Sequence, residues 1–364
     1  MLVVFNHAGL FLAVAPQFNL GPSLLVPSEA VAQVGNIGVD LFFVISGFVM
    51  ALSARRFIGP SGAGVFLVQR FVRIAPLFYL ACLVMLAEAL RAGLPLDPAS
   101  LLNSLTFIPV FDDGDYSWPL HYLGWTLAFE WVFYLLVAVL IADGRGGQHV
   151  PLLALVAVVP LLGVISQPQL MAGRVLNNPI LWEFALGIIA CILYEKGLLA
   201  RWRWPLACCA VAVFVAGAVA MWFRSDDLVG LVHDTMLGES EAAGRALFWG
   251  VPAFVFFIAV VGFGGPGDGR PGRLAKVLGD ASYSIYLSHL FVVMAMRKVL
   301  DRLPFDPDLV VLATLVLSAL VGMSVYRWVE KPMLNFGQQL IRKWSRKHMR
   351  PSLEHQRGHV HREN

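Results

Sequence analysis

The sequence predicts an all-α, polytopic integral membrane protein with about ten transmembrane helices and both termini cytoplasmic. Three observations carry this. Of 364 residues, 58% are hydrophobic and 14% charged, against about 25% charged in an ordinary soluble domain, and mean hydropathy is +0.71. Apolar runs recur at roughly the 20-residue length that carries a helix across the hydrocarbon core. The basic residues also sort to one side. With the N-terminus inside, the inner segments hold Arg55, Arg56, Arg70, Arg73, Arg145, Lys196, Arg201, Arg203, Arg270, Arg273, Lys276 and the tail from Arg327 to Arg362. The outer segments hold Arg91, Arg174, Arg224, Arg245, Arg297, Lys298 and Arg302. Lysine and arginine accumulate in cytoplasmic loops, which fixes the orientation.

The expected spans are 1–15, 36–54, 72–91, 121–141, 150–166, 179–195, 205–223, 246–263, 283–300 and 309–327. The first is short and has no basic segment before it, so it is a poor signal peptide. Between spans, GFGGPGDGRPG at 262–272 cannot continue a helix. The outer loops carry acids, including Asp112, Asp113, Asp115, Asp226 and Asp227. The membrane domain is expected over 1–341. Residues 342–364 read as a basic, disordered cytoplasmic tail near anionic headgroups. Basic residues lie beside apolar spans and not on an amphipathic face, so no nucleic-acid partner is indicated. Cys82, Cys191, Cys208 and Cys209 lie in apolar runs without ligand spacing, so no metal is implied.

Ionisable groups inside a span are costly, which makes each a candidate for function. At 1.5 Å per residue, His7 lies roughly 12 Å from the outer end of the first span. Asp40 lies roughly 6 Å, Ser46 roughly 15 Å and Glu130 roughly 14 Å from the outer ends of theirs. A histidine, two carboxylates and a serine thus share the outer half of the membrane. A histidine beside a carboxylate is equipment for general-base catalysis, with His7, Asp40 and Glu130 as the catalytic candidates and Ser46 as a substrate contact. The alternatives are helix packing for His7, an N-terminal helix cap for Asp40 and an arginine partner for Glu130.

Arg70 and Arg73 stand one turn apart at the inner end of the third span. Paired guanidiniums suit phosphate, and lipid-headgroup anchoring is the alternative. In SYSIYLSH, Tyr283, Ser284 and His289 make a polar entry to a greasy helix. They either contact substrate or only hydrogen-bond between helices. His289 counts as nearer the inner face and is not grouped with His7.

These pieces together resemble the membrane-bound acyltransferase family 3, bacterial enzymes that O-acylate surface polysaccharides and related acceptors. GVDLFFVISGF at 38–48, RFVRIAPLFYL at 70–80, WTLAFEWVFYLL at 125–136, SYSIYLSHL at 282–290 and VEKPM at 329–333 resemble its segments in order. The resemblance implies an inner-membrane enzyme, with acyl-CoA (acetyl-CoA by default) as co-substrate from the cytoplasm and no tightly bound cofactor. The acceptor would be a saccharide hydroxyl on the far side. The family's first-helix histidine corresponds to His7. Its partner arginine, eleven residues earlier, would fall upstream of Met1. On the residues alone, a transporter or flippase for a glycan or lipid-linked intermediate remains the rival reading.

Overall fold

The computed structural model describes residues 1–13, 22–112, 115–166, 175–176, 178–223, 243–265, 267, 269–301 and 305–343. Among these the chain is helical, apart from an antiparallel pairing of β1 (Phe111–Asp112) with β2 (Asp115–Tyr116). The helices are α1 (Leu2–Ala8), α2 (Glu29–Gln33), α3 (Ile37–Ala54), α4 (Gly59–Arg91), α5 (Pro98–Thr106), α6 (Gly124–Ala142) and α7 (His149–Ser166). Then follow α8 (Leu181–Glu195), α9 (Leu198–Arg201), α10 (Arg203–Phe223), α11 (Val251–Gly262), α12 (Arg270–Asp280), α13 (Ser282–Leu300) and α14 (Pro307–Val325).

Among the described residues, five helices are long and apolar enough to cross a membrane: Val31–Ala54, Gly59–Arg91, Gly124–Ala142, Ala243–Gly262 and Pro307–Lys343. The pair α12 and α13, bent by 72° at their junction, makes a sixth if taken as one span. The chain is therefore a multi-pass membrane protein. The remaining expected runs hold helices too, but shorter apolar ones: Leu2–Leu12, His149–Leu162, Arg203–Gly217 and the 15-residue α8.

Two boundaries differ from expectation. The third span, expected from residue 72, begins earlier, because α4 starts at Gly59 and runs 33 residues. Gly59 takes φ +68° to turn the chain, a conformation that costs a glycine little, and Pro60 sits in the first turn, where its missing N–H costs nothing. Arg70 and Arg73 consequently lie in mid-helix. At the other end, the last helix continues to Lys343 with Ile341 buried, so order extends past the expected edge of the tail. Residues 344–364, Arg174, Arg224, Arg302, Asp113, Asp226 and Asp227 lie outside the described residues.

The core is aromatic. Phe43, Phe129, Phe133 and Phe184 are buried where α3, α6 and α8 meet. The α3–α8 crossing is close because Gly47 faces the backbone of Phe184 and Gly187 faces the carbonyl of Val44, the small-residue packing expected of membrane helices. Among the described residues, three helices carry a wide π turn, at Gly9–Ala13, Ala246–Gly250 and Tyr326–Glu330. Such turns concentrate at functional sites, and here they adjoin His7, Arg245 and Glu330.

Candidate active site

The expected site residues fall into two groups. The first surrounds a cavity of about 180 Å³ lined by His7, Asn6, Gln33, Asn36, Trp118, Tyr122, Trp125, Arg245 and Tyr286, among others. Short α1 is held in place by Asn6, whose side-chain amide donates to the Ala32 carbonyl at 3.1 Å. Ala8 and Leu12 pack against Val293, Val310 and Val311 of α13 and α14. That seat brings His7 to His289, with 2.8 Å between His7 Nδ1 and His289 Nε2.

The expectation that His289 stands apart from His7 is therefore corrected. From the inner end of its helix His289 lies only six residues in, which places it near that face. Counted from the other end, His289 lies 11 residues in, roughly 16 Å. That differs from the depth of His7 by less than one turn, and side chains bridge such a gap. Neither Asp40 nor Glu130 bonds the His7 ring among the described residues, so the expected carboxylate partner is also corrected.

Asp40 does not cap its helix. Its Oδ2 accepts from Arg245 at 3.2 Å, and both side chains are buried. The Arg245 guanidinium also lies 5.9 Å from the centre of the Trp125 ring. Arg245 is thus a buried cation on the wall of the His7 cavity and not an outer-loop charge. Glu183, on α8, is buried in the same cluster beside Asp40, and Arg245 does not bond it.

Glu130 belongs elsewhere. Ser46 Oγ donates to its Oε1 at 3.0 Å, and the Tyr134 hydroxyl donates to the same oxygen. The Arg70 guanidinium packs over the rings of Phe66 and Tyr134, at 5.5 and 5.9 Å. Glu130 therefore connects to the arginine group and not to the His7 cavity, and Ser46 lines neither cavity.

The second group lines a larger, open cavity of about 610 Å³ formed by Gln69, Arg70, Arg73, Gly279, Asp280, Tyr326, Gln338 and Arg342, among others. Glu330 holds its frame together. Arg73 donates to one oxygen of Glu330, and Ser284 Oγ donates to the other at 2.5 Å. The Tyr283 hydroxyl donates to the Ile74 carbonyl at 2.8 Å. Tyr283 and Ser284 thus brace α13 against α4 and the end of α14. Arg70 Nε is buried without a hydrogen-bond partner.

Sequence reasoning missed Arg245, Glu183, Glu330 as an anchor, and Arg342. A glutamate inside the expected span 179–195 was the one available signal for Glu183. One further cluster, His149, Cys191 and Glu195, places ligand-type atoms within 4.8 Å of one another. Glu195 already accepts from Arg55 at 2.8 Å and pairs with His149 at 2.9 Å, which is an ion-pair arrangement.

Comparison with known proteins decides the class. The model of the acyltransferase domain of acyltransferase family 3 matches residues 1–327. The chain belongs to this family. It is a membrane acyltransferase, and the transporter reading is set aside. The chain is 30% identical over 320 residues to the "Exopolysaccharide production protein ExoZ" of Rhizobium meliloti (strain 1021), covering 84% of this chain and 91% of that protein. No solved structure matches the chain.

Proposed function

We propose that this acyltransferase moves an acyl group, acetyl by default, from acyl-CoA in the cytoplasm to a hydroxyl of an exported or cell-surface saccharide. It would work from the bacterial inner membrane, with about ten spans and both termini cytoplasmic. The observation that supports the reading best is that one helix, α13, bonds the side chains around both the arginine cluster and the histidine pair. At one end of α13, Tyr283 and Ser284 frame the arginine-lined cavity. Five residues on, His289 reaches His7 at the second cavity. Ser284 and His289 are five residues apart, about 7.5 Å of helix, so α13 carries contacts to both the arginine cluster and His7.

Arg70, Arg73 and Arg342 would hold the diphosphate, since guanidinium groups match phosphate oxygens in bidentate pairs. At the second cavity, His7 takes the proton of the acceptor hydroxyl as its oxygen attacks the thioester carbonyl. The C–S bond breaks, and the departing thiolate receives that proton. Arg245 supplies fixed positive charge for the oxyanion. Transfer is direct in this reading: Ser46 lies outside both cavities, and His7 is given the role of base and not of acyl carrier. The saccharide acceptor is taken from the exopolysaccharide role that the relative's name carries.

The test is transfer of labelled acetyl from acetyl-CoA to saccharide acceptors in membranes carrying the chain. Transfer should vanish with His7→Ala, and Arg70→Ala or Arg73→Ala should weaken donor binding more than acceptor binding. Full transfer by His7→Ala would remove His7 as the base.

A further inference from the structure

His289 makes polar contacts on both sides of its ring, and they differ in kind. Its Nδ1 faces two backbone carbonyl oxygens one turn back on α13, Tyr286 at 2.6 Å and Ile285 at 3.3 Å. Carbonyls only accept, so Nδ1 carries the hydrogen. In a neutral imidazole Nε2 is then the acceptor. That Nε2 lies 2.8 Å from His7 Nδ1, which must donate to it. The remaining nitrogen of His7, Nε2, is left with the lone pair. No described residue bonds it, and His7 lines the smaller cavity.

The ring geometry suits this bond. The two ring planes differ by 11° and their centres are 5.1 Å apart. That separation is about the hydrogen-bond length plus one ring radius on each side. The imidazoles therefore meet edge to edge, in the plane where N–H bonds and lone pairs lie, and not face to face.

We infer that His289 is a positioning residue, which locks His7 in the tautomer that turns a basic Nε2 to the cavity. The chain of control runs from the α13 backbone to His289 and from His289 to His7. It needs no buried carboxylate at the histidine, which agrees with Asp40 and Glu130 being engaged elsewhere. When His7 accepts a proton on Nε2, its Nδ1–H stays bonded to a neutral acceptor. The inference deepens the reading of His7 as the base and rests on it for its catalytic consequence, but the tautomer itself can be measured independently.

The experiment uses the full chain in nanodiscs with ¹⁵N-labelled histidine, assigning His7 by loss of its signals in His7→Gln. Imidazole ¹⁵N shifts report which nitrogen is protonated. The expected result is protonated Nδ1 and unprotonated Nε2 at His7, with the two tautomers mixing in His289→Leu. In transfer assays, His289→Leu should lose about 100-fold or more in kcat, the scale of a general base's contribution, with KM for both substrates little changed. His289→Gln, whose amide oxygen can replace the lost acceptor, should recover most of that loss. A His7 protonated on Nε2 in the unmutated protein overturns the inference, as does a His289→Leu protein with unchanged tautomer and kcat. Should His289→Leu not fold, the spectrum of the unmutated protein decides alone. Activity in His7→Ala with the expected tautomer would sink the base reading and leave the positioning geometry standing.

Discussion

Arg245 and Asp40 form a buried ion pair across 3.2 Å, joining the π turn before α11 to the first turn of α3. Burial makes such a pair costly to break, because removing one partner strands the other, a loss of about 3–5 kcal/mol. Here the asymmetry is sharper, since Arg245, which bonds Asp40, also acts through its charge on the neighbouring Glu183 without bonding it. Arg245→Met should therefore cost more than Asp40→Asn, and Glu183→Gln should be neutral or stabilising. Combining Arg245→Met with Asp40→Asn and Glu183→Gln should restore most of the lost stability. Thermal unfolding of detergent-purified protein, followed by size-exclusion fluorescence, checks this ranking. Equal loss in Arg245→Met and Glu183→Gln would show that the guanidinium does not act on both acids.

The α3–α8 crossing depends on two missing side chains. A Cβ at Gly47 would run into the Phe184 backbone, and one at Gly187 into the Val44 carbonyl. Backbone cannot step aside as a flexible side chain can. Gly47→Val and Gly187→Val should each lower the yield of folded protein sharply, by about 3 kcal/mol or more of overpacking strain, whereas Gly217→Ala, which has open space, should be silent. Folded yield from membranes expressing each variant is the readout.

The helical, multi-pass character was legible because a bilayer imposes one simple rule; each expected run holds a helix, but among the described residues only five or six are long and apolar enough to span. The site was legible in its residue types and only partly in its groupings. Depth along a span says which layer a side chain occupies, not which neighbour it meets in the plane of the membrane. That is why Glu130 went to the His7 group although its partners are Ser46 and Tyr134. His289 was separated from His7 by counting from one end only. Arg245 looked like a loop charge because it opens an apolar run, and only the packing of α3 and α8 around it makes it a buried cation. The π turns leave no periodic mark that eleven to eighteen residues could reveal.

α5 offers a pH test away from the membrane spans. Asp97 caps it, accepting from the Ser100 hydroxyl at 2.7 Å and from the Ser100 and Ala99 N–H groups at 2.9 and 3.0 Å. The Ser100 bonds, hydroxyl first, and then the Ala99 N–H hold this carboxyl below its ordinary value. A carboxylate with a depressed folded value stabilises above its unfolded value, about 3.9, and loses that contribution as pH falls through the folded one. Hydrogen-exchange protection of the first turn of α5 should thus hold from pH 7 to about 5 and fall below about 4. Asp97→Ala should lack this pH dependence.

Ser46, Glu130 and Tyr134 give the sharpest test of direct transfer. An acyl carrier must reach the donor, and although donation of its proton to Glu130 would activate Ser46 Oγ, Ser46 lines neither cavity. Ser46→Ala removes one hydrogen bond, worth about 1 kcal/mol, while Tyr134 still holds the glutamate. Its transfer rate should fall by no more than about tenfold, and no acyl group should be trapped on the protein by rapid acid quench. Glu130→Ala is different in kind. It strands the Ser46 and Tyr134 hydroxyls in the core and removes the oxygen around which the Arg70 face of α6 is arranged, so both stability and donor binding should suffer. Complete loss of transfer in a well-folded Ser46→Ala protein, with label recovered on the unmutated chain, would replace direct transfer by an acyl-enzyme at Ser46.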